Sequence, residues 1–236
     1  MAPKSCPVLT SVRALLVAVA VLVAVPAAAQ PTPDGQVWIQ GLALGELSEN
    51  WRSHLEVQPR WFDGSSELGL SIIRVALGRR LSKRVTVYLG HAWVPRTLGE
   101  GVRHEQRIWQ QLSLAGPVVG GWALTGRLRV EQRWLEPWDG LSHRARFMAR
   151  AQRPITAGHP WSVWAYDELM LTADDTPQGP ASGFDRNRVA AGISRRVSPV
   201  VSFDVGYLWE HSVFGDDQRR NDHVALGVLY VALPRR

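Results

Sequence analysis

Charged residues recur at intervals of two through the middle of this chain. Glu105, Arg107, Arg127, Arg129, Glu131, Arg133, Arg144, Arg146, Glu168, Arg186 and Arg188 form the series, with Arg150 beside it. Guanidinium and carboxylate groups on neighbouring strands, about 5 Å apart, can join in forked hydrogen-bonded pairs. Two kinds of chemistry follow. A narrow barrel can be filled by such a network, holding itself together. Alternatively, because Arg outnumbers Glu, the series can line a narrow anion-preferring pore. The filled barrel is the simpler expectation, since long side chains occupy most of a small lumen. Other candidate sites are weaker. His211-Ser212 with Asp216 and Asp217 could suggest a hydrolase, but the expected His, one spacer, then Ser-Asn is absent. Asp174-Asp175 and Asp216-Asp217 could meet calcium, yet they read as solvated loop acids. The seven His residues are scattered without metal spacing, and His54 and His223 read as hydrogen-bonded lumen residues. The sequence has no glycine-rich phosphate loop. No catalytic residue, metal or cofactor is expected.

The elements that must position these charges are strands. Trp122 to Trp134 alternates Trp122, Leu124, Leu128, Val130 and Trp134 with Arg127, Arg129, Glu131 and Arg133, and period two sends successive side chains to opposite faces. At about 3.3 Å per residue it spans roughly 40 Å, or roughly 30 Å of height at a tilt of about 40°. Similar segments run over Gln36–Leu44, Trp51–Arg60, Glu67–Leu77, Arg84–Trp93, Arg103–Leu114, His143–Arg153, Trp161–Leu171, Phe184–Arg195, Val200–Glu210 and Asp222–Leu233. The connections Arg79–Lys83, Ala115–Gly121, Arg153–Pro160 and Arg195–Pro199 are shorter. Val94–Val102, Leu135–Ser142, Thr172–Gly183 and His211–Asn221 are mostly longer, the rhythm of periplasmic turns and external loops. Eleven segments are countable. Bacterial single-chain barrels have even numbers, so the expectation is twelve strands, with ten as the alternative. The fold class is all-β: a single antiparallel up-and-down transmembrane barrel.

Alternation does not say which face is inside. Trp51, Trp93, Trp122, Trp134, Trp161, Trp209 and Tyr230 sit near the ends of apolar faces, as an aromatic girdle does. The polar faces carry both charge signs. Both observations favour lipid outside and a polar lumen. The opposite arrangement would be a soluble periplasmic barrel holding a small apolar ligand. Residues 1–29 read as a cleaved signal peptide: Lys4 and Arg13, the apolar run Ala14 to Val25, then Pro26-Ala27-Ala28-Ala29. The run is too short for a spanning helix. Residues 30–236 then form the barrel domain, without Cys6 and without any disulfide. Loss of Lys4 and Arg13 leaves 25 basic against 21 acidic residues, so the charge falls from +6 to +4. That modest, interleaved excess excludes the concentrated basic stripe of a nucleic-acid binder.

A family resemblance follows. Glu105-Gln106-Arg107-Ile108-Trp109-Gln110-Gln111 and Arg127-Leu128-Arg129-Val130-Glu131-Gln132-Arg133 resemble the central pattern of the domain-of-unknown-function 2490 family. Asn50-Trp51, Asp185-Arg186-Asn187-Arg188, Gly206-Tyr207 and His223 fall in the order that family shows. The family looks like outer-membrane barrels and has no established activity, so the resemblance implies fold and location but no chemistry. The chain ends Leu233-Pro234-Arg235-Arg236, without the terminal aromatic expected of membrane barrels; Tyr230 is the nearest substitute. The partners expected are outer-membrane lipid and the barrel-assembly machinery during insertion into the Gram-negative envelope. An outer-membrane lipid-modifying enzyme is the alternative function.

Overall fold

The computed structural model describes residues 33–98, 101–136, 140–175, 181–214 and 218–235. The expected signal peptide, residues 1–29, lies outside them. The described strands are β1 (Gly35–Glu46), β2 (Trp51–Phe62), β3 (Glu67–Arg80), β4 (Val85–Leu98), β5 (Gly101–Val119), β6 (Trp122–Leu135), β7 (Leu141–Pro154), β8 (Trp161–Thr172), β9 (Gly183–Arg196), β10 (Val201–Phe214) and β11 (Gln218–Leu233). They close into one barrel in chain order. No described helix is long and apolar enough to cross a membrane, a finding silent on strands.

The barrel has eleven strands, not twelve or ten. Even parity follows only when every neighbouring pair is antiparallel. Here β1 pairs with β11 in parallel, from Gly35↔His223 to Gly45↔Leu233. The remaining neighbours are antiparallel. One parallel seam therefore closes an odd sheet, and Gly35 and Leu233 stand at opposite ends of the barrel. The sheet is mixed rather than wholly antiparallel.

Local chemistry explains the hairpins. Gly120 and Gly121 have φ of +58° and +84°, the pair of positive angles that a two-residue hairpin turn needs. Trp122 can therefore begin β6 directly after Val119 ends β5. The register of β5 slips between Ala115 and Val118, where Pro117 has no N–H to offer a ladder. Several strands run further than their alternation implied. Pairing of β4 with β5 continues to Leu98↔Gly101, so the long connection expected at Val94–Val102 shrinks to residues 99–100. Residues 173–182 remain a long connection. Residues 47–50, 81–84, 120–121, 155–160 and 197–200 make up the turn end, and the opposite mouth is the loop end.

The outer surface is largely apolar. Ile39, Leu55, Val57, Val75, Leu89, Ile108, Phe147, Val205 and Leu229 are exposed there. The interior contains the charges, but not alone. Trp38, Trp164, Ala190, Leu208, Val224, Leu226 and Val228 form one buried apolar cluster, and Leu70, Ile72 and Val94 another. Val224, Leu226, Val228 and Tyr230 thus face the lumen, against the expectation that the apolar face of β11 points out. Both faces of β11 are apolar or small, since Ala225, Gly227, Leu229 and Val231 occupy the other.

Large lumen rings lie flat on glycine. A Cβ at Gly206 would meet the Trp164 ring at 2.6 Å and the Ala191 carbonyl at 2.5 Å; Gly192 backs the same ring, and Gly90 backs Trp109. Adding a methyl to such a contact typically costs about 1–3 kcal/mol. Gly206→Ala is therefore expected to lower the midpoint of heat-induced unfolding in detergent, followed by loss of gel-shifted folded barrel. An unchanged midpoint would mean the ring and strand yield freely.

Candidate functional site

Alternation on β5 to β10 sends one charged residue in every two into the lumen, where water is scarce and charge must be paired. Glu131, fully buried on β6, receives Arg144 Nε at 2.9 Å and Arg146 Nη1 at 3.0 Å. Arg146 also donates to Glu168 on β8, at 2.8 and 3.0 Å. Arg188 on β9 reaches Glu168 at 3.5 Å and donates through Nε to Glu210 on β10. Glu210 receives Arg186 at 3.2 Å; Arg186 donates to Asp185 at 3.0 Å; Arg144 donates to Asp185 at 3.1 Å. The path returns to Glu131. Four arginines and four carboxylates thus alternate around a closed ring of ion pairs.

Further pairs attach to this ring. Glu105 receives Arg107 at 2.7 Å and Arg133 at 2.6 Å. Arg107 and Arg129 approach Glu131 at 3.9 and 4.0 Å. Arg127 donates to Glu168. On the opposite wall Arg74 donates to Glu56, which also meets His54. Arg129 lies over Trp109, 4.4 Å from its centroid, and Trp109 abuts His54 at 5.4 Å between ring centroids. Arg60 and Arg188 both lie over Trp38, at 3.7 and 4.8 Å. Side chains from distant strands therefore meet across the barrel at mid-height.

Two cavities flank this belt. One of about 520 Å³ lies towards the turn end, bounded by Leu44, Gln152, Ser202 and Tyr230 among others. One of about 70 Å³ lies towards the loop end, near Phe62, Arg96, Arg133 and Arg220. Trp38, Arg60, Arg74, Arg146 and Arg188 line both. These five residues stand between the two cavities.

The structure brings all eleven charges singled out in the sequence into the lumen. It adds members that alternation had not joined to them: Asp185, Glu210, Glu56, Arg74, Arg60 and Asp204. Asp185 escaped because the register slips between Met170 and Leu171, pairing them with Arg186 and Phe184. The bulge lets Asp185 and Arg186, neighbours in sequence, both turn inward. Glu210 and Asp204 lay on a polar face in plain view, and only the closed sheet sets them against arginines.

Among the aromatic residues, Trp51 and Trp161 begin strands at the turn end, where Trp122 also lies; Trp93, Trp134 and Trp209 are outward near the loop end. Tyr230 does not belong with them. Its hydroxyl donates to Asp204 at 3.1 Å inside the lumen. His223, expected inside, is exposed outside and meets Tyr207. Outward polar groups find cross-strand partners: Asn187 donates to Asp167 at 3.1 Å, His211 meets Asn221 at 2.8 Å, and Gln110 pairs with Gln132 at 3.1 Å. His211 faces out and Ser212 in, so they form no base–nucleophile pair; Asp216 and Asp217 lie outside the described residues. Asp174 accepts from the His143 backbone N–H at 2.6 Å, and this bond with that to the His143 ring holds its carboxyl below the usual range. Asp175 likewise accepts from the Ser182 N–H at 2.6 Å. Among the described residues no acidic or histidine cluster has metal-binding geometry.

The class of protein is therefore a closed all-β barrel with an ion-paired lumen. The chain belongs to the family described as "Protein of unknown function (DUF2490)", which matches residues 35–221. An uncharacterised protein of Methylorubrum extorquens is 31% identical over 186 residues, covering 77% of this chain and 80% of that protein. The NanC porin has a similar fold, with TM-score 0.50 at 11% identity over 85% of this chain and 99% of the porin. OmpT of Vibrio cholerae, outer-membrane expressed, is more distant: TM-score 0.40, 8% identity, 72% and 58% coverage.

Removing one member of the ring leaves a buried charge without its partner, at about 3–5 kcal/mol. Glu131→Ala is expected to lower the denaturation midpoint by that order, read by tryptophan fluorescence. The double variant Glu131→Ala/Arg146→Ala should fall short of the sum of its singles by about 1–3 kcal/mol. Strict additivity would mean the two charges are not coupled.

Proposed function

We propose that this chain, exported by residues 1–29, is an outer-membrane barrel whose lumen is a narrow, anion-preferring path held shut at mid-height by the Arg–carboxylate belt. The observation that carries this reading is the inversion of the molecule: apolar side chains outside, ion pairs inside. A water-soluble barrel of this size would keep its charges outward. Trp51, Trp122 and Trp161 near one rim and Trp93, Trp134 and Trp209 near the other suit the two interfaces of a bilayer. Likeness in fold to a porin supports the location. The anion preference rests on the lumen charge, because buried arginines outnumber buried carboxylates and further arginines line the cavities.

Fractionation tests the location. Recovery with membranes, and release only by detergent, is expected; a soluble periplasmic protein would overturn it. Planar bilayers test the path. Arg60 hydrogen-bonds only Gln58 among the described residues, so Arg60→Ala widens the constriction without stranding a carboxylate. The wild type is expected to conduct poorly. Arg60→Ala should conduct several-fold more, with a reversal potential favouring anions under a salt gradient. A variant as silent as the wild type, or one selective for cations, would remove the pore.

A further inference from the structure

We propose that the larger cavity, at the turn end, is a binding site for a small organic anion: a carboxylate or phosphate head on a compact apolar body. The proposal deepens the anion preference above but needs no conduction. Three independent features meet there.

The first is the pattern of unpartnered atoms. Among the described residues, Arg74 Nε, Arg127 Nε and Trp164 Nε1 are buried without a hydrogen-bond partner, and all three residues line this cavity. Each is an N–H donor. Orphaned buried donors are rare and ask for an acceptor. Turning any of these side chains towards an acceptor-rich occupant would satisfy its donor, whereas a cation or a hydrogen-bond donor would satisfy none.

The second is charge. Seven arginines line the cavity against Glu56, Glu168 and Asp204. Among the described residues Arg60 makes no ion pair, and it rests on Gln58 and the Trp38 face. Arg129 spends its two short hydrogen bonds on the neutral carbonyl of Gln111, at 2.8 and 2.6 Å. Setting aside Arg146, Arg188 and Glu168, which belong to the neutral ring, five arginines face two carboxylates in this chamber.

The third is shape. β1, β8 and β11 contribute a largely apolar wall of Trp38, Leu42, Trp164, Leu226 and Val228, broken by Gln40 and Glu168. A volume of about 520 Å³ falls in the usual range for small-molecule sites, about 300–1,000 Å³. An apolar body against this wall places its anionic head towards Arg127 and Arg129. The belt closes the far side, so the occupant enters and leaves through the turn end.

The test is isothermal titration of the purified, folded full barrel in detergent with benzoate, inorganic phosphate and neutral benzamide. Saturable binding of benzoate, phosphate or both, with benzamide at least tenfold weaker, is expected. Arg127→Gln should weaken the anion at least fivefold, and Trp164→Phe, which removes the N–H but keeps a ring, should weaken it measurably. Both variants are first checked for the folded gel shift; if either fails it, added benzoate must raise the wild-type unfolding midpoint where benzamide does not. No saturable anion binding, or equal affinity for benzamide, would overturn the site. A binding barrel that never conducts would uphold the site and remove only the pore.

Discussion

The closed ring from Glu131 through Arg144, Asp185, Arg186, Glu210, Arg188, Glu168 and Arg146 is the constraint on which the structure depends. A charge taken from water must be matched or the group becomes strongly destabilising. An isolated pair would leave lone pairs and N–H groups over. In a ring every carboxylate has two cationic neighbours and every guanidinium two anionic ones. A side chain fixed by its first partner then loses little further freedom on meeting its second. The arrangement is possible only if β6 to β10 present these residues at compatible heights. Register is thereby bound to electrostatics: a slip of one residue would turn the ring towards the outer surface and apolar side chains towards the lumen.

Neutrality of the ring has a further effect on the lumen. Because four arginines and four carboxylates cancel within it, the surplus arginines lie outside it, and those towards the turn end line the larger chamber. The ring is a wall, and arginines outside it lie on both of its sides. The opposite side of that chamber is built from apolar residues of β1 and β11, so one space combines cationic and apolar walls. A barrel only filled by charge would show no such division.

Much of this was legible in the chain. All eleven strands were countable from alternation and turn residues, and the inward charges from Glu105 to Arg188 were recognisable by period. Expecting twelve strands came from letting a general parity outweigh the count, and no residue pattern announces that β1 will lie parallel to β11. Alternation failed wherever both faces have the same character, as on β11, where Val224, Leu226 and Val228 turn inward beside Tyr230. It failed again at Asp185, because a bulge breaks period two. Glu210 and Arg60 were visible as polar residues, but partnership across a closed barrel depends on curvature, which one-dimensional spacing does not contain.

The seam brings these constraints together. Parallel ladders are slightly less stable per residue than antiparallel ones, and a single parallel seam in an otherwise antiparallel sheet is the natural place for a barrel to open. Here the lumen side of the seam is packed rather than wet: Trp38 from β1 joins Val224, Leu226 and Val228 from β11 in one buried cluster. Arg188, a ring member on β9, reaches over to lie on Trp38, and Arg60 lies on the same indole. Trp38 thus couples the apolar seam to the ion-paired ring. A cation over an indole contributes on the order of 1–2 kcal/mol when water is excluded, small beside the ring but placed at the joint. The odd strand number and the ion-paired lumen are therefore connected. The parallel closure that an eleven-strand barrel requires is braced from inside by the same ion-paired network.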